Sequence, residues 1–401
     1  MTTSSTTSSR SPIVAARGKP IEVLLGTLGD GVEGGIPAVV FGLTRGFDAR
    51  ADAVRYFQVP YGRPRRDIRP FRRVLVEIRQ LIGLVLVALR RRPDVIHVQS
   101  SFDKKTVTRD AIHLLVTKAL GRPFVVHAHG GDWQEVQKWS LPWRVLAKEF
   151  LTRCAAVVVT SGEEREILQR IYGSRIRVHH VCNPVALPVE AQVEGCACTE
   201  PGTGHPGAAT DVASRPALSH SATMTFVFAA RLVEGKGALD VARAARYLRR
   251  YDIRIEIYGI GPLRDRIARQ IRDDGVDHQV KLMGEVSIAE LLRAYRRARA
   301  FVMPTYFVEG FPMALFYAVA CGLPIVTTPV RAMKDHLLEP DNCLWVEPRN
   351  PEMLARRLEM LVLDEGLHGA MVRNNFELAK RFSPELVAER FIDLYASLGV
   401  N

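Results

Sequence analysis

The stretch from Phe226 to Gly237 reads FVFAARLVEGKG. Its first four residues are a short apolar run with no polar face, the pattern of a strand buried on both sides. The run stops at a loop holding Arg231 and Lys236, with Gly235 and Gly237 flanking the lysine. In a parallel sheet, ligands bind beyond the carboxyl ends of the strands. Both cations are therefore expected where a diphosphate would lie, Arg as a fork of donors and Lys as a point charge. A helix after Gly237 would turn the positive end of its dipole to the same place.

The same unit recurs in both directions along the chain. Ile21–Leu25, Val54–Val59, Val95–Val98, Phe124–His127 and Ala155–Thr160 are strand-like in the first half. Phe226–Ala229, Ile253–Tyr258, Val280–Met283, Phe301–Met303 and Pro324–Thr327 are strand-like in the second. Helical patterns lie between them, one opened by Pro37–Leu43 and another running over Val74–Arg92. Such alternation specifies an α/β fold of parallel sheets with helices outside. Glu190–Thr223 is rich in Ala, Gly, Ser, Thr and Pro and reads as a flexible linker or insertion. The expected organisation is a disordered tail over 1–18 and a first domain over 19–189. A linker over 190–222, a second domain over 223–382 and a helix over 383–401 that crosses back to the first domain complete it.

The 401 residues carry a net charge of +12, which fits anionic partners or a basic solvated surface. The six cysteines show no framework spacing, and Cys196-Ala197-Cys198 with His205 falls short of the four ligands of a zinc site. The thiols read as reduced and the compartment as cytoplasmic. The N-terminal Ser/Thr-rich stretch lacks an apolar signal region. No run reaches the ~20 apolar residues of a membrane span; the nearest, Val74 to Leu89, is broken by Glu77 and Arg79.

Three further motifs matter. Gly29-Asp30-Gly31-Val32-Glu33-Gly34 is a literal GxGxxG, but the second strand ends Gln58-Val59-Pro60, without the acid a dinucleotide site wants. It is better read as a glycine loop in which Gly34 and Gly35 let backbone approach a ligand. Tyr258-Gly259-Ile260-Gly261-Pro262 is a second strand-end turn, ahead of a helix at Leu263–Arg272. Glu309-Gly310-Phe311-Pro312-Met313-Ala314-Leu315-Phe316-Tyr317-Ala318 places a carboxylate at the mouth of an apolar helix. That carboxylate is either an N-cap or an acceptor for sugar hydroxyls, beside free N–H groups of Gly310 to Leu315 that can face an anion.

Together these residues resemble the retaining glycosyltransferases of family 4, which have the GT-B fold. The resemblance is strongest from Phe226 to about Pro351, in ARLVEGKG, YGIGP, VKLMGEV and PTYFVEGFP with ACGLPIVTT. It is looser in Gly34-Gly35, VVHAHG at 125–130, VVTS at 158–161 and IRVHHVCN at 176–183. It implies two Rossmann-like domains facing each other across a cleft, the first for the acceptor and the second for a nucleoside-diphosphate-sugar. Arg231 and Lys236 would hold the diphosphate and Glu309 the sugar hydroxyls. Gly259, the backbone at Met283 and the segment Gly310, Phe311, Pro312, Met313, Ala314 and Leu315 would complete the donor site, with Gly34 and Gly35 from the first domain. His129 would sit near the anomeric carbon and Asp132 on the acceptor side. His127 is read as facing the other way, on the alternation of strand side chains. Tyr317 departs from the family pattern, standing where a second glutamate would bind the ribose.

The resemblance implies front-face transfer with retention, in polysaccharide, glycolipid or glycoconjugate synthesis. No cofactor or metal is expected, because the two cations neutralise the diphosphate. Arg63, Arg65, Arg66, Arg69, Arg72 and Arg73 precede an apolar helix ending Arg90-Arg91-Arg92, which suits either a solvated helix or an anionic membrane surface. The acceptor is expected to be a saccharide or a lipid-linked one, met in the cytoplasm or on the cytosolic face of the inner membrane. Nucleic acid is not an expected partner, since no basic patch is interleaved with aromatics. The alternatives are an NAD(P)-dependent sugar-nucleotide epimerase or dehydrogenase, and a non-catalytic nucleotide-sugar-binding protein.

Overall fold

A computed structural model describes residues 19–27, 34–62, 70–187 and 223–399. The tail, Gly29 and Gly31, Arg63 to Arg69, and the whole 190–222 segment with Cys196, Cys198 and His205 lie outside the described residues. The chain divides into two compact units. One is built from the chain up to Ala186 together with Phe382 onward; the other runs from Leu187 to Arg381.

In the first unit, strands and helices alternate as β1 (Ile21–Thr27), α1 (Gly35–Ala49), β2 (Val54–Pro60), α2 (Pro70–Arg91), β3 (Val95–Ser100), α3 (Lys104–Ala119) and β4 (Phe124–Ala128). They continue as α4 (Trp133–Lys138), α5 (Leu141–Arg153), β5 (Ala156–Val159), α6 (Gly162–Tyr172) and β6 (Val178–His180). The sheet is parallel, in the order β2-β1-β3-β4-β5-β6. Its two faces differ. Leu24, Ile96, Val98, Phe124, Val126, Val157 and Val159 belong to an apolar core shared with Leu84 of α2, Leu114 of α3 and Phe150 of α5. His97, Gln99 and His127, two residues apart along their strands, share the opposite face, Gln99 pairing with His127 in register.

The second unit repeats the scheme. Its elements are β7 (Met224–Ala229), α7 (Ala238–Ala244), β8 (Ile253–Tyr258), α8 (Arg264–Asp273), β9 (Val280–Gly284), α9 (Ile288–Arg297) and β10 (Ala300–Met303). They are followed by α10 (Met313–Ala320), β11 (Ile325–Thr327), α11 (Ala332–His336), β12 (Cys343–Trp345), α12 (Pro351–Leu363) and α13 (Glu365–Ala379). The parallel order is β12-β11-β10-β7-β8-β9. The chain reverses outward on both sides of β7, so the loops after β7, β8 and β10 leave neighbouring strand ends.

A last helix, α14 (Pro384–Ser397), belongs to the first unit. Ser383 caps it through the Leu386 N–H, and Pro384 suits its first turn. It packs on α1 so closely that a Cβ on Gly46 would lie 2.1 Å from the Pro384 carbonyl oxygen, which leaves glycine as the only residue that fits. Phe391 and Tyr395 of α14 lie over the histidine face, with ring centroids 5.1 and 5.9 Å from His97.

Helix α2 is unusual in what it leaves open. Phe71, Val74, Leu75, Ile78, Ile82, Leu86 and Leu89 are all exposed, Phe71 to 74%. Among its side chains described, only Leu84 and Ala88 are fully buried. The exposed set follows i, i+3 and i+4 spacing and forms one stripe. Exposed Ile112 and Leu115 lie on α3, against which α2 packs. Arg72, Arg79, Arg90, Arg91 and Arg92 are exposed around the stripe.

Candidate active site

In the second unit, the loops after β7 and β10 are stitched together. The Gly235 carbonyl accepts from Tyr306 N–H at 2.7 Å, Phe307 N–H at 3.0 Å and the Thr305 hydroxyl at 3.0 Å. This clamp fixes Lys236 over the ring of Phe307, 4.6 Å from its centroid. Lys236 Nζ then donates to Glu309 Oε1 in an ion pair. Both residues are buried, Lys236 to 9% exposure and Glu309 to 8%. The Thr305 hydroxyl stands 3.5 Å from the same oxygen of Glu309. Thr305 and Phe307 were not anticipated; the signal was their position inside the loop that carries Glu309.

The loops after β7 and β8 interlock as well. Gly259 has φ +127°, and a Cβ there would lie 2.0 Å from the Ala230 carbonyl oxygen. Leu232 N–H donates to Ile260 O at 2.9 Å, and Gly259 N–H to Gly284 O at 2.7 Å. Arg231 is exposed at the end of β7, and its side chain makes no ion pair among the described residues. Met283, near the end of β9, is 42% exposed.

The expected row of amides is shorter than the sequence suggested. Helix α10 begins at Met313, with Pro312 as its N-cap residue. Pro312 has no N–H to give, and Leu315 N–H is already donated to Pro312 O at 3.0 Å. The N–H groups of Gly310, Met313 and Ala314 have no acceptor among the described residues. Phe311 stacks on Phe316 with centroids 3.6 Å apart, which fixes the entry of the helix. Tyr317, only 4% exposed, is packed into the unit, and burial pushes its phenol up to about 12. It therefore stays neutral and cannot replace the charge of a glutamate.

In the first unit, Gly34 is the N-cap residue of α1 with φ +139°, and Gly35 opens the helix; both are exposed. Asp132 caps α4, accepting the Glu135 N–H at 3.0 Å, and so has a structural task of its own. His129 follows β4, its N–H bonded to Ser100 O at 2.9 Å and its Nε2 to Gln99 Oε1 at 2.6 Å. His127 does not face away from it: the two rings are 4.1 Å apart, because residues two apart on an extended chain share a side. Burial pulls His97 and His129 down to about 3 and holds His127 well below the usual imidazole value. All three rings are neutral near pH 7.

Residues 214–378 match the model of the glycosyl transferases group 1, and residues 14–184 match the glycosyl transferase 4-like domain. The two matches together span most of the chain. The chain belongs to the group 1 glycosyltransferase family. The chain is 28% identical over 171 residues to an uncharacterized glycosyltransferase of Methanocaldococcus jannaschii, covering 42% of this chain and 44% of that one. It is 26% identical over 258 residues to the D-inositol 3-phosphate glycosyltransferase of Xylanimonas cellulosilytica, covering 63% and 60%. The matches thus span less than two thirds of these relatives' lengths. Among solved structures, HepE of Anabaena in complex with UDP and glucose superposes with a TM-score of 0.66 at 14% identity, over 94% of this chain and 100% of that one. At that identity the likeness establishes the fold, GT-B, with its two Rossmann-like sheets. Among the described residues of this glycosyltransferase, no helix is long and apolar enough to cross a membrane.

Proposed function

We propose that this glycosyltransferase moves a sugar from a nucleoside-diphosphate-sugar to an acceptor hydroxyl with retention at the anomeric carbon. The observation that carries the reading is the buried Lys236–Glu309 pair at the ends of adjacent strands β7 and β10. A donor carries anionic phosphate and neutral hydroxyls side by side. A diphosphate that draws Lys236 to itself loosens the lysine's hold on Glu309, whose oxygens then accept from sugar hydroxyls. Arg231 and the amides of Gly310, Met313 and Ala314 add positive potential at the phosphate, where charge develops as the bond breaks. The sugar–phosphate C–O bond breaks, the acceptor oxygen bonds on the same face, and the acceptor proton goes to the leaving phosphate oxygen. His129 and Asp132 serve the acceptor side. Arg231 and Lys236 act as counter-ions, so chelation with EDTA leaves turnover unchanged. HepE, a relative in fold, is described in complex with UDP and glucose, which supports this donor class.

A donor panel scored for hydrolysis and transfer, with the product anomer read by NMR, tests the reading. Retention, and loss of turnover in Lys236→Ala and Arg231→Ala, are expected. An inverted product, or near-normal turnover in both variants, refutes it.

The stripe on α2 supports a lipid-linked acceptor met at an anionic bilayer. Seven exposed apolar side chains ringed by arginines match a surface with anionic headgroups over acyl chains, each nearby cation contributing about 1 kcal/mol. Flotation with phosphatidylglycerol vesicles is expected to capture the protein and to fail for Leu75→Ser/Ile82→Ser/Leu86→Ser. Capture that is equal on neutral vesicles, or unchanged by the triple substitution, removes the membrane from the reading.

A further inference from the structure

The polar face of the first sheet holds a continuous chain of hydrogen bonds that reaches His129 from the C-terminal helix. His129 Nε2 is 2.6 Å from Gln99 Oε1, Gln99 Nε2 is 3.4 Å from His97 Nε2, and His97 Nδ1 is 2.6 Å from the Tyr395 hydroxyl. The donors and acceptors along it are not interchangeable. An amide oxygen only accepts, so His129 Nε2 carries the ring proton. An amide nitrogen only donates, so His97 accepts at Nε2 and donates from Nδ1 to Tyr395. Burying such groups in a sheet face that could have been valine is costly unless they are bonded. His127, beside them, has no hydrogen-bond partner on either ring nitrogen among the described residues. It lies between His129 and Phe391 in tilted contact, with ring centroids 4.1 and 5.4 Å away, and acts as a spacer.

We propose that Gln99 is a positioning residue for His129: it holds the ring as the Nε2–H tautomer and so leaves Nδ1 as the ring's one lone pair, while Tyr395 of α14 fixes the far end of the chain through His97. The inference rests on the reading of His129 as a group of the acceptor side. Burial keeps both imidazoles neutral, so the tautomer, not the charge, is the variable that Gln99 sets. Tyr395 is fully buried between His97 and Phe47 of α1, which gives the chain a rigid anchor.

The test is ring-nitrogen NMR on the full chain labelled with 15N-histidine, the His129 signals assigned by their loss in His129→Asn. Wild type is expected to show a protonated Nε2 and a bare Nδ1 at His129. Gln99→Met removes the acceptor while keeping the length, and is expected to give mixed tautomers. Loss of one buried hydrogen bond corresponds to roughly tenfold in rate, so kcat for transfer should fall about tenfold with donor KM unchanged. Gln99→Glu keeps an acceptor for His129 and is expected to restore its Nε2–H signal and most of kcat, while the lost amide N–H to His97 Nε2 shifts the His97 signals. Tyr395→Phe keeps the ring packing and is expected to shift the His97 signals first.

A wild-type His129 protonated on Nδ1, or a Gln99→Met protein with an unchanged tautomer, overturns the proposal. A changed tautomer with unchanged kcat removes the positioning role. If the glycosyltransferase reading itself fails, wild type turns over no donor, and the ring-nitrogen signals still decide the tautomer.

Discussion

Acidification from pH 7.5 to 5.5 should weaken the first unit through the three histidines clustered on one sheet face, His97, His127 and His129. In the unfolded chain each imidazole titrates near its ordinary value of about 6.5. In the fold, burial holds His97 and His129 at about 3 and His127 well below the ordinary value. Each is thus neutral when folded and protonated when unfolded over the window from pH 6.5 down to about 3. The unfolded state binds more protons there, so stability is fully present above pH 6.5 and lost as pH falls below it. Between pH 7.5 and 5.5 the loss is about 1.4 kcal/mol per imidazole, or about 4 kcal/mol for three. His127→Phe isolates one share. The new ring fills the place of the old one, in contact with His129 and Phe391. It also removes two buried nitrogens without partners, which cost about 1–3 kcal/mol in such settings. The variant should match or exceed wild type at pH 7.5, and lose about 1.4 kcal/mol less on going to pH 5.5. Urea unfolding followed by tryptophan fluorescence measures this, because three of the four tryptophans, Trp133, Trp139 and Trp143, lie in the first unit and Trp345 alone in the second. Equal losses in the two proteins, within about 0.3–0.5 kcal/mol, would refute the reasoning.

Lys236→Met and Glu309→Gln form a cycle: removing one partner of a buried ion pair costs about 3–5 kcal/mol, and the double variant should recover most of it, read by thermal unfolding. Additive losses would mean that the pair is not coupled. Gly259→Ala forces a Cβ to 2.0 Å from the Ala230 carbonyl at a φ of +127°. It should cost about 1–3 kcal/mol and raise donor KM by displacing the loop after β7; an unperturbed melt would show that the loops can part. Tyr317→Glu buries a carboxylate where the phenol is only 4% exposed. A cost of about 1–3 kcal/mol would lower the melting temperature by several degrees, and a gain in donor affinity without that loss would place the residue at the ribose instead.

Most strands were legible because an apolar run bounded by glycine or a polar loop has few other readings. Phe226–Ala229 and Ile253–Tyr258 recur within two residues of β7 and β8. β12 was not legible: Cys343–Trp345 is three residues at a sheet edge, too short for a period. The helix at Met313 was expected from its apolar run, yet the sequence does not display that Leu315 N–H turns back to Pro312. Lys236 and Glu309 were each placed at strand ends, but their mutual bond depends on β10 lying next to β7, which is a matter of topology. The histidine parity was misread, since two steps along a strand return to the same side. Gln99 carried no signal at all; its importance comes from what Tyr395 and His129, far away in sequence, bring to it.

The placement of α14 has a consequence for biosynthesis. The ribosome emits the first sheet early, then every strand of the second unit, and only afterwards the helix that shields His97 and His127. Until then that sheet stands with an open, polar flank. Nascent chains stalled before Phe382 should be protease-sensitive in their early half while the later half is already resistant, the reverse of the order of synthesis.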